Sequence, residues 1–363
     1  MERMRDRWKI FVTLALILVL AGAAPLAAEE SGEGLIGLAF YWLPYDADGV
    51  DAFRFIDALA AAGFNHTRII MPSRCWHPGA RSLPSPFARA GAKFDLVHYD
   101  EKFLGRFEAL LAHAAQRGVV VQVDIFDEVM LHHWRFWIQS EWAAENNVNR
   151  WLGRQKPGPG NWLPYFYDTV DGGQPPWTLR LQESYFDTIA ARVRPPHLIG
   201  DGNELVDAEF SRHFLERFGG ENRLVCGNRA LWNTEDPSTD KAKQEALLGD
   251  PAFEKIFAKV DYIAVHSVEP STIERRYRFV EPVLQRHPHL KVIFSTDGAG
   301  LGSRQRRPQG IRPNADDIRE VISRGRLLAG ERFGGVEVKL MDYADFLELT
   351  RSLGGGIAAP AKQ

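Results

Sequence analysis

His197-Leu198-Ile199-Gly200-Asp201-Gly202-Asn203-Glu204-Leu205 reads as a short apolar strand running through two glycines into an Asn-Glu pair, with an amphipathic helix behind it from Asp207 to Arg217. A strand that turns polar at its end and hands over to a helix is one βα unit. In a barrel of such units, the reactive groups sit at the C-terminal ends of the strands. Glu204 falls at that end. Asn203 beside it offers an amide hydrogen bond to a hydroxyl, and the glutamate can hold or give a proton according to its surroundings. Taken alone, an Asn-Glu pair is equally a cap on the following helix. The rest of the chain decides between the two.

Working outward, the same rhythm recurs on both sides. Strands are predicted at Gly34 to Trp42, His66 to Met71, Val119 to Phe126, the quoted stretch, Leu224 to Asn228, Val260 to Ser267, Lys291 to Thr296 and Val336 to Met341. Each is followed by apolar residues at helical spacing: Val50 to Ala62, Glu101 to Arg117, Glu183 to Val193, Asp207 to Arg217, Pro251 to Lys259, Thr272 to Arg286, Ala315 to Leu328 and Tyr343 to Ser352. Eight strands alternating with eight helices make a (β/α)8 TIM barrel, an α/β fold, with a long insertion after strand 3. The competing doubly wound sheet needs a glycine fingerprint near its first strand. The cluster Gly298-Ala299-Gly300-Leu301-Gly302 has neither the spacing nor the place for that.

Residues 29–353 form a single domain on this reading, with the insertion at about 127–180 and a small, polar, disordered tail at 354–363. Residues 1–28 read as a secretory signal peptide: Arg3, Arg5, Arg7 and Lys9, then the apolar run Ile10 to Ala24, then small residues that suit cleavage. The apolar run is shorter than the roughly 20 residues of a spanning helix. The expected location is therefore periplasmic or secreted, with no stable membrane association after cleavage. Removing this segment takes away four basic and two acidic residues, so the formal charge moves from −3 to −5. A mildly acidic chain gives no reason to expect nucleic acid as a partner. Cys75 and Cys226 could pair in an oxidising space or be two unrelated core residues.

All nine tryptophans beyond the signal follow strands rather than lying in outer helices. Trp42 follows strand 1, Trp76 strand 2 and Trp232 strand 5, while Trp134, Trp137, Trp142, Trp151, Trp162 and Trp177 lie in the insertion. Flat apolar rings with polar edges suit the C–H faces of sugars; several of the six can equally form the insertion's own core. Polar groups mark the strand ends as well: Arg68, Asp124, Asp127, Asn203, Glu204, Asn228, His266, Asp297 and Asp342. Glu204 and Asp297 stand out, since strands 4 and 7 face each other across a barrel of eight. Strict alternation allows only some of the others into one pocket. Arg68 has two readings, substrate contact or structural partner of a barrel carboxylate. His266 can be a ligand or a satisfied core histidine, and Asp297, before glycine, can be a turn residue. Adjacent pairs such as His132-His133 diverge, so no metal site and no cofactor is expected.

Asn65-His66-Thr67-Arg68-Ile69, Ile199 to Leu205, His266 and Val292 to Gly298 together resemble the strand-2, strand-4, strand-6 and strand-7 segments of the retaining (β/α)8 glycoside hydrolases that include the family 5 cellulases and mannanases. The resemblance implies an exported glycosidase of a poly- or oligosaccharide: Glu204 as acid and base, Asn203 on a sugar hydroxyl, Asp297 as nucleophile. Arg68, His266, Trp42, Trp76, Trp134 and Trp232 would line the cleft. The chain departs from the pattern in having aspartate at 297, Val268 in place of a tyrosine, and Phe126 in place of a histidine. A shorter acid leaves open a tightened retaining pair, an inverting pair with a water between, or a non-catalytic carbohydrate-binding barrel.

Overall fold

The computed structural model describes residues 34–41, 43–45, 50–71, 82–127, 130, 134–149, 176–203, 205, 208–218, 223–226, 245, 249–266, 270–297 and 315–339. In chain order the elements are β1 (Leu35–Ala39), α1 (Ala52–Ala61), β2 (His66–Ile70), β3 (Phe87–Ala90), β4 (Lys93–Tyr99), α2 (Glu101–Gln116), β5 (Val120–Asp127) and α3 (Trp134–Trp137). They continue with α4 (Pro176–Ala190), β6 (Leu198–Asn203), α5 (Ala208–Arg217), β7 (Arg223–Cys226), α6 (Pro251–Phe257), β8 (Tyr262–Val265), α7 (Ile273–Arg286), β9 (Lys291–Asp297), α8 (Ala315–Ala329) and β10 (Phe333–Lys339).

Eight of the ten strands close a parallel barrel in the order β1-β10-β9-β8-β7-β6-β5-β2. The expected (β/α)8 architecture is therefore the observed one. Strands buried on both faces explain the near-continuous apolar runs: every residue of β5, Val-Val-Gln-Val-Asp-Ile-Phe-Asp, is buried. Helix starts are set by aspartate caps. Asp51 accepts from the backbone N–H groups of Phe53 and Arg54, Asp100 from Lys102 and Phe103, and Asp250 from Ala252, with Pro251 in the first turn.

The barrel interior is divided. Its N-terminal end is plugged by Leu35, Val120, Leu198, Val225, Tyr262, Ala264 and Ile293, drawn from six strands. One and two steps of alternation further along, the inward positions turn polar: His66 and Arg68 on β2, Gln122 and Asp124 on β5, Ser295 on β9 and Glu337 on β10, all buried. The apolar plug is a packed core, and the polar layer lies on the side where the βα loops emerge. Gly37 lets β1 approach β2 closely, because a Cβ there would lie 2.0 Å from the His66 carbonyl oxygen.

One unexpected feature is an antiparallel hairpin between β2 and α2. β3 and β4 are joined through Gly91-Ala92, with Gly91 at φ +67°, a conformation a tight hairpin turn needs and glycine tolerates. The segment 146–148 adds to its far side: Phe94 N–H donates to the Asn146 carbonyl at 2.8 Å and Val148 N–H to the Phe94 carbonyl at 2.9 Å. Beneath the hairpin the Phe87 ring meets Trp142 and Tyr185, each at 5.4 Å, and Trp137 and Trp142 are themselves buried. These two tryptophans of the expected insertion are therefore core residues. The helix that follows starts at Pro176, earlier than the apolar spacing from Glu183 indicated.

His197, just ahead of β6, ties three elements together. Its Nδ1 accepts from the Val121 N–H at 3.0 Å and its Nε2 donates to the Leu111 carbonyl at 2.8 Å. An imidazole that must accept on one nitrogen and donate on the other is neutral. Burial holds its pKa down at about 4. The folded pKa lies below the unfolded one of about 6.5, so the stability this contributes is complete above that value and is lost as pH falls toward 4. Urea unfolding is expected to show the native chain losing roughly 3 kcal/mol through this group between pH 7 and pH 4. His197→Gln is expected to lack that component; an unchanged pH dependence in the variant would contradict it.

Candidate functional site

Alternation along β5 and β6 is interrupted before the strands end. Asp124 faces the interior, and Gly200 of β6 faces it too, since a Cβ on Gly200 would lie 2.0 Å from Asp124 Oδ1. Strict alternation would next bring Phe126 and Gly202 inward. Instead the Phe126 ring packs outward against Phe210, Phe214 and Tyr185 at 5.0, 4.7 and 5.9 Å. Asp127 and Asn203, paired in register, take the inner places and hydrogen-bond to each other. Both strands shift face together, which keeps their ladder intact.

Arg68 is the centre of this layer and has no exposed surface. Its Nε and Nη2 both reach Asp124 Oδ2, at 2.7 and 2.6 Å. Nη1 donates to Glu337 Oε1 at 3.1 Å and points at the Tyr41 hydroxyl at 3.4 Å; Nη2 donates to Asn203 Oδ1 at 2.8 Å. A guanidinium has five N–H bonds, and five directions are taken here by protein acceptors. Arg68 is thus a partner of the barrel carboxylates Asp124 and Glu337, and Asn203 links it to the end of β6.

The acceptors differ in character. Glu337 receives Arg68 and, on the same oxygen, the Ser295 hydroxyl at 2.8 Å, while its other oxygen lies 3.5 Å from His66 Nε2. Burial by itself would raise its pKa, but Arg68, His66 and Ser295 outweigh that and hold the carboxyl at about 2. Asp124 also takes a hydrogen bond from Gln122 Nε2 at 2.8 Å. Burial pushes its pKa up, and Arg68 offsets only part of this. For Arg68 burial acts downward, yet Asp124, Tyr41 and Glu337 keep it firmly charged. One fixed cation thus stands between two acids of unequal strength.

Asn203 ends β6 and is buried. Its orientation follows from chemistry: Oδ1 faces the Arg68 donor, and Nδ2 donates to Asp127 Oδ1 at 3.0 Å, so the amide is held from both sides. Near the mouth between β1 and β10, the Lys339 ammonium sits 5.2 Å from the Tyr41 ring centroid and the Arg68 guanidinium carbon 5.4 Å from it. His266 follows the last residue of β8 and is buried. Asp297 is the last residue of β9, two beyond Ser295, and its backbone pairs with Lys339 of β10.

The structure therefore brings together Arg68, Asn203, Asp124 and Asp127 from the sequence-level set, and adds Glu337, Ser295, His66, Gln122 and Tyr41. Glu204, Trp42, Trp76 and Trp232 lie outside the described residues, as does Cys75 of the candidate cysteine pair; so do the side chains of Trp134, which opens α3, and Asp297. Among the described residues no group of three His, Cys, Asp or Glu side chains is placed to hold a metal ion. Glu337 had a signal in the sequence, a lone acid between valines in a Gly-Gly-Val-Glu-Val-Lys strand, where an unpaired charge would be prohibitive.

No protein-family model matches the chain, and no curated protein does. Solved structures do match in fold. A glycoside hydrolase family 5 mannosidase from Rhizomucor miehei, in complex with mannosyl-fructose, shares 14% identity over 84% of this chain and 80% of its own, at a TM-score of 0.52. The endo-β-1,4-mannanase of Thermotoga petrophila gives 11%, 91%, 78% and 0.51 for the same quantities. A family 5 enzyme of Prevotella bryantii in complex with a xyloglucan tetradecasaccharide gives 12%, 90%, 98% and 0.50. At these identities the similarity is one of fold, and it agrees with the resemblance drawn from the four strand segments.

Two substitutions test the polar layer. Arg68→Met strands two buried carboxyls without their cation and is expected to cost about 3 to 5 kcal/mol in chemical denaturation. Gly200→Ala forces a methyl into Asp124 and is expected to cost about 1 to 3 kcal/mol. Wild-type stability in either variant would show that the layer is not packed as described.

Proposed function

We propose that this barrel is an exported glycoside hydrolase that cleaves O-glycosidic bonds of a poly- or oligosaccharide. The observation that carries the reading is the end of β6. Asn203 is clamped between Arg68 and Asp127 immediately before Glu204, in a fold shared with family 5 mannosidase and mannanase structures. In the barrel order, β6 is the fourth strand and β9 the seventh, so Glu204 and Asp297 leave from strands separated by β7 and β8. That arrangement suits one acid on each side of a sugar ring.

In this reading Glu204 gives a proton to the departing glycosidic oxygen. Asp297 either attacks the anomeric carbon or takes a proton from an attacking water, according to the separation of the pair. Two carboxyl groups supply both the acid and the base, so the chemistry needs no cofactor. Carbohydrate-bound neighbours and the tryptophans at 42, 76, 134 and 232 support a sugar-binding cleft, with His266 at its edge. The basic and apolar run in residues 1–28 supports export to the periplasm or beyond.

The test is hydrolysis of β-mannan, xyloglucan and cellulose oligosaccharides by the wild type and by Glu204→Gln and Asp297→Asn. Each variant is expected to lose at least roughly 10³-fold in kcat while still binding the oligosaccharide. Binding without cleavage by the wild type itself would identify a carbohydrate-binding barrel instead.

A further inference from the structure

We propose that Asp127 is a positioning residue for this site: its carboxylate, opposite Arg68, holds the Asn203 carboxamide and so fixes the end of β6 from which Glu204 departs. The inference rests on the hydrolase reading only for its kinetic consequence. The clamp itself stands on geometry.

Asp127 is 1% exposed and Asn203 is 2% exposed. A buried carboxylate at a strand end is costly to keep unless it is paired or hydrogen-bonded. One partner it serves is Asn203, whose Nδ2 donates to it at 3.0 Å, while Arg68 Nη2 donates to the other end of the same amide at 2.8 Å. A single hydrogen bond leaves a side-chain amide free to swing; two from opposed partners of opposite charge fix both its position and its sense. Arg68 is in turn pinned by Asp124 and Glu337, so the chain Glu337, Arg68, Asn203, Asp127 runs across the layer from β10 through β2 and β6 to β5.

The parity shift gives the same picture from the backbone. Asp127 reaches the interior because Phe126 is drawn outward among Phe210, Phe214 and Tyr185. The register pair Asp127 and Asn203 then holds the last step of the β5 and β6 ladder. Gly202, one residue before Asn203, sits where a Cβ would lie 2.7 Å from the Phe126 carbonyl oxygen, so the two strand ends are closely packed as well as hydrogen-bonded. Glu204 follows Asn203 directly. Loosening this end displaces a reacting group without removing it, and a misplacement of about 1 Å costs on the order of 100-fold in rate.

The experiment compares Asp127→Ala and Asp127→Asn in the full mature chain. Crystal structures of wild type and Asp127→Ala read the clamp directly. The Asn203 carboxamide is expected to move or to occupy two orientations in Asp127→Ala, whereas an unmoved amide overturns the proposal. On mannan and xyloglucan oligosaccharides, Asp127→Ala is expected to lower kcat by about 10- to 100-fold with KM within a few-fold. Asp127→Asn retains an oxygen that accepts from Asn203 Nδ2, and is expected to recover most of that loss. Wild-type kcat in Asp127→Ala, or an Asp127→Asn no better than the alanine variant, also overturns it. If wild type cleaves no oligosaccharide while the amide still moves in Asp127→Ala, the hydrolase reading fails and the clamp is upheld.

Discussion

The Arg68 guanidinium is the constraint around which the barrel interior is arranged. An ion with no exposed surface must be met at every N–H, and here five acceptor directions converge on it from β5, β6, β10 and Tyr41, just beyond β1. Each acceptor brings its own requirement. Asp124 needs glycine opposite it at position 200; Glu337 needs Ser295 and His66; Asn203 needs Asp127. A layer of this kind does not add stability cheaply, because the desolvation of ions offsets much of their attraction. Removing any one member leaves its partner buried without compensation. The consequence is a geometric constraint: a one-residue slip of any strand that carries these groups would turn its member away from the others.

The division of the interior gives that constraint a direction. Below the polar layer, the apolar plug from Leu35 to Ile293 closes the barrel against water. Above it, β6 and β9 end in Asn203 and Asp297. Rigid supports under the residues that act, with loops around them free to vary, is the usual logic of this fold. The chain shares its strand arrangement with family 5 structures at 11–14% identity. Fold alone places no chemistry; among the described residues the interior joins Arg68, Asp124, Asn203 and Asp127 near the strand ends.

Much of the architecture was legible in the sequence, because helices and fully buried strands leave strong periodic signatures. The eight barrel strands fall within a few residues of where apolar spacing placed them, and so do the described helices other than α3, which lies in the expected insertion, and α4, which starts at Pro176 rather than Glu183. The hairpin of β3 and β4 was not legible. Phe87-Ala88-Arg89-Ala90 is short with only Phe87 buried, Val97 and His98 are both exposed, and its stability comes from Trp142, Tyr185 and the 146–148 segment, contacts remote in sequence. The site was half legible. Arg68, Asn203, Asp124 and Asp127 announce themselves as polar residues at strand ends, but which of them pair, and that Glu337, Ser295 and Tyr41 join them, does not follow from the sequence. Glu337 lies within the predicted last strand, but its role comes from Arg68, Ser295 and His66, which other strands bring to it. The face shift that brings Asp127 inward depends on where the Phe126 ring finds aromatic neighbours, which no period in the sequence encodes.

The central claim is that this scaffold delivers two acids, one from the fourth barrel strand and one from the seventh, to a single sugar. The most direct measurement is the distance between the Glu204 and Asp297 carboxyl groups in a crystal structure of the chain with a bound oligosaccharide. The account predicts both carboxyls flanking one glycosidic oxygen, about 5 to 5.5 Å apart for a retaining enzyme or roughly 6.5 to 9.5 Å for an inverting one. A larger separation, or a bound sugar that touches neither carboxyl, would contradict it.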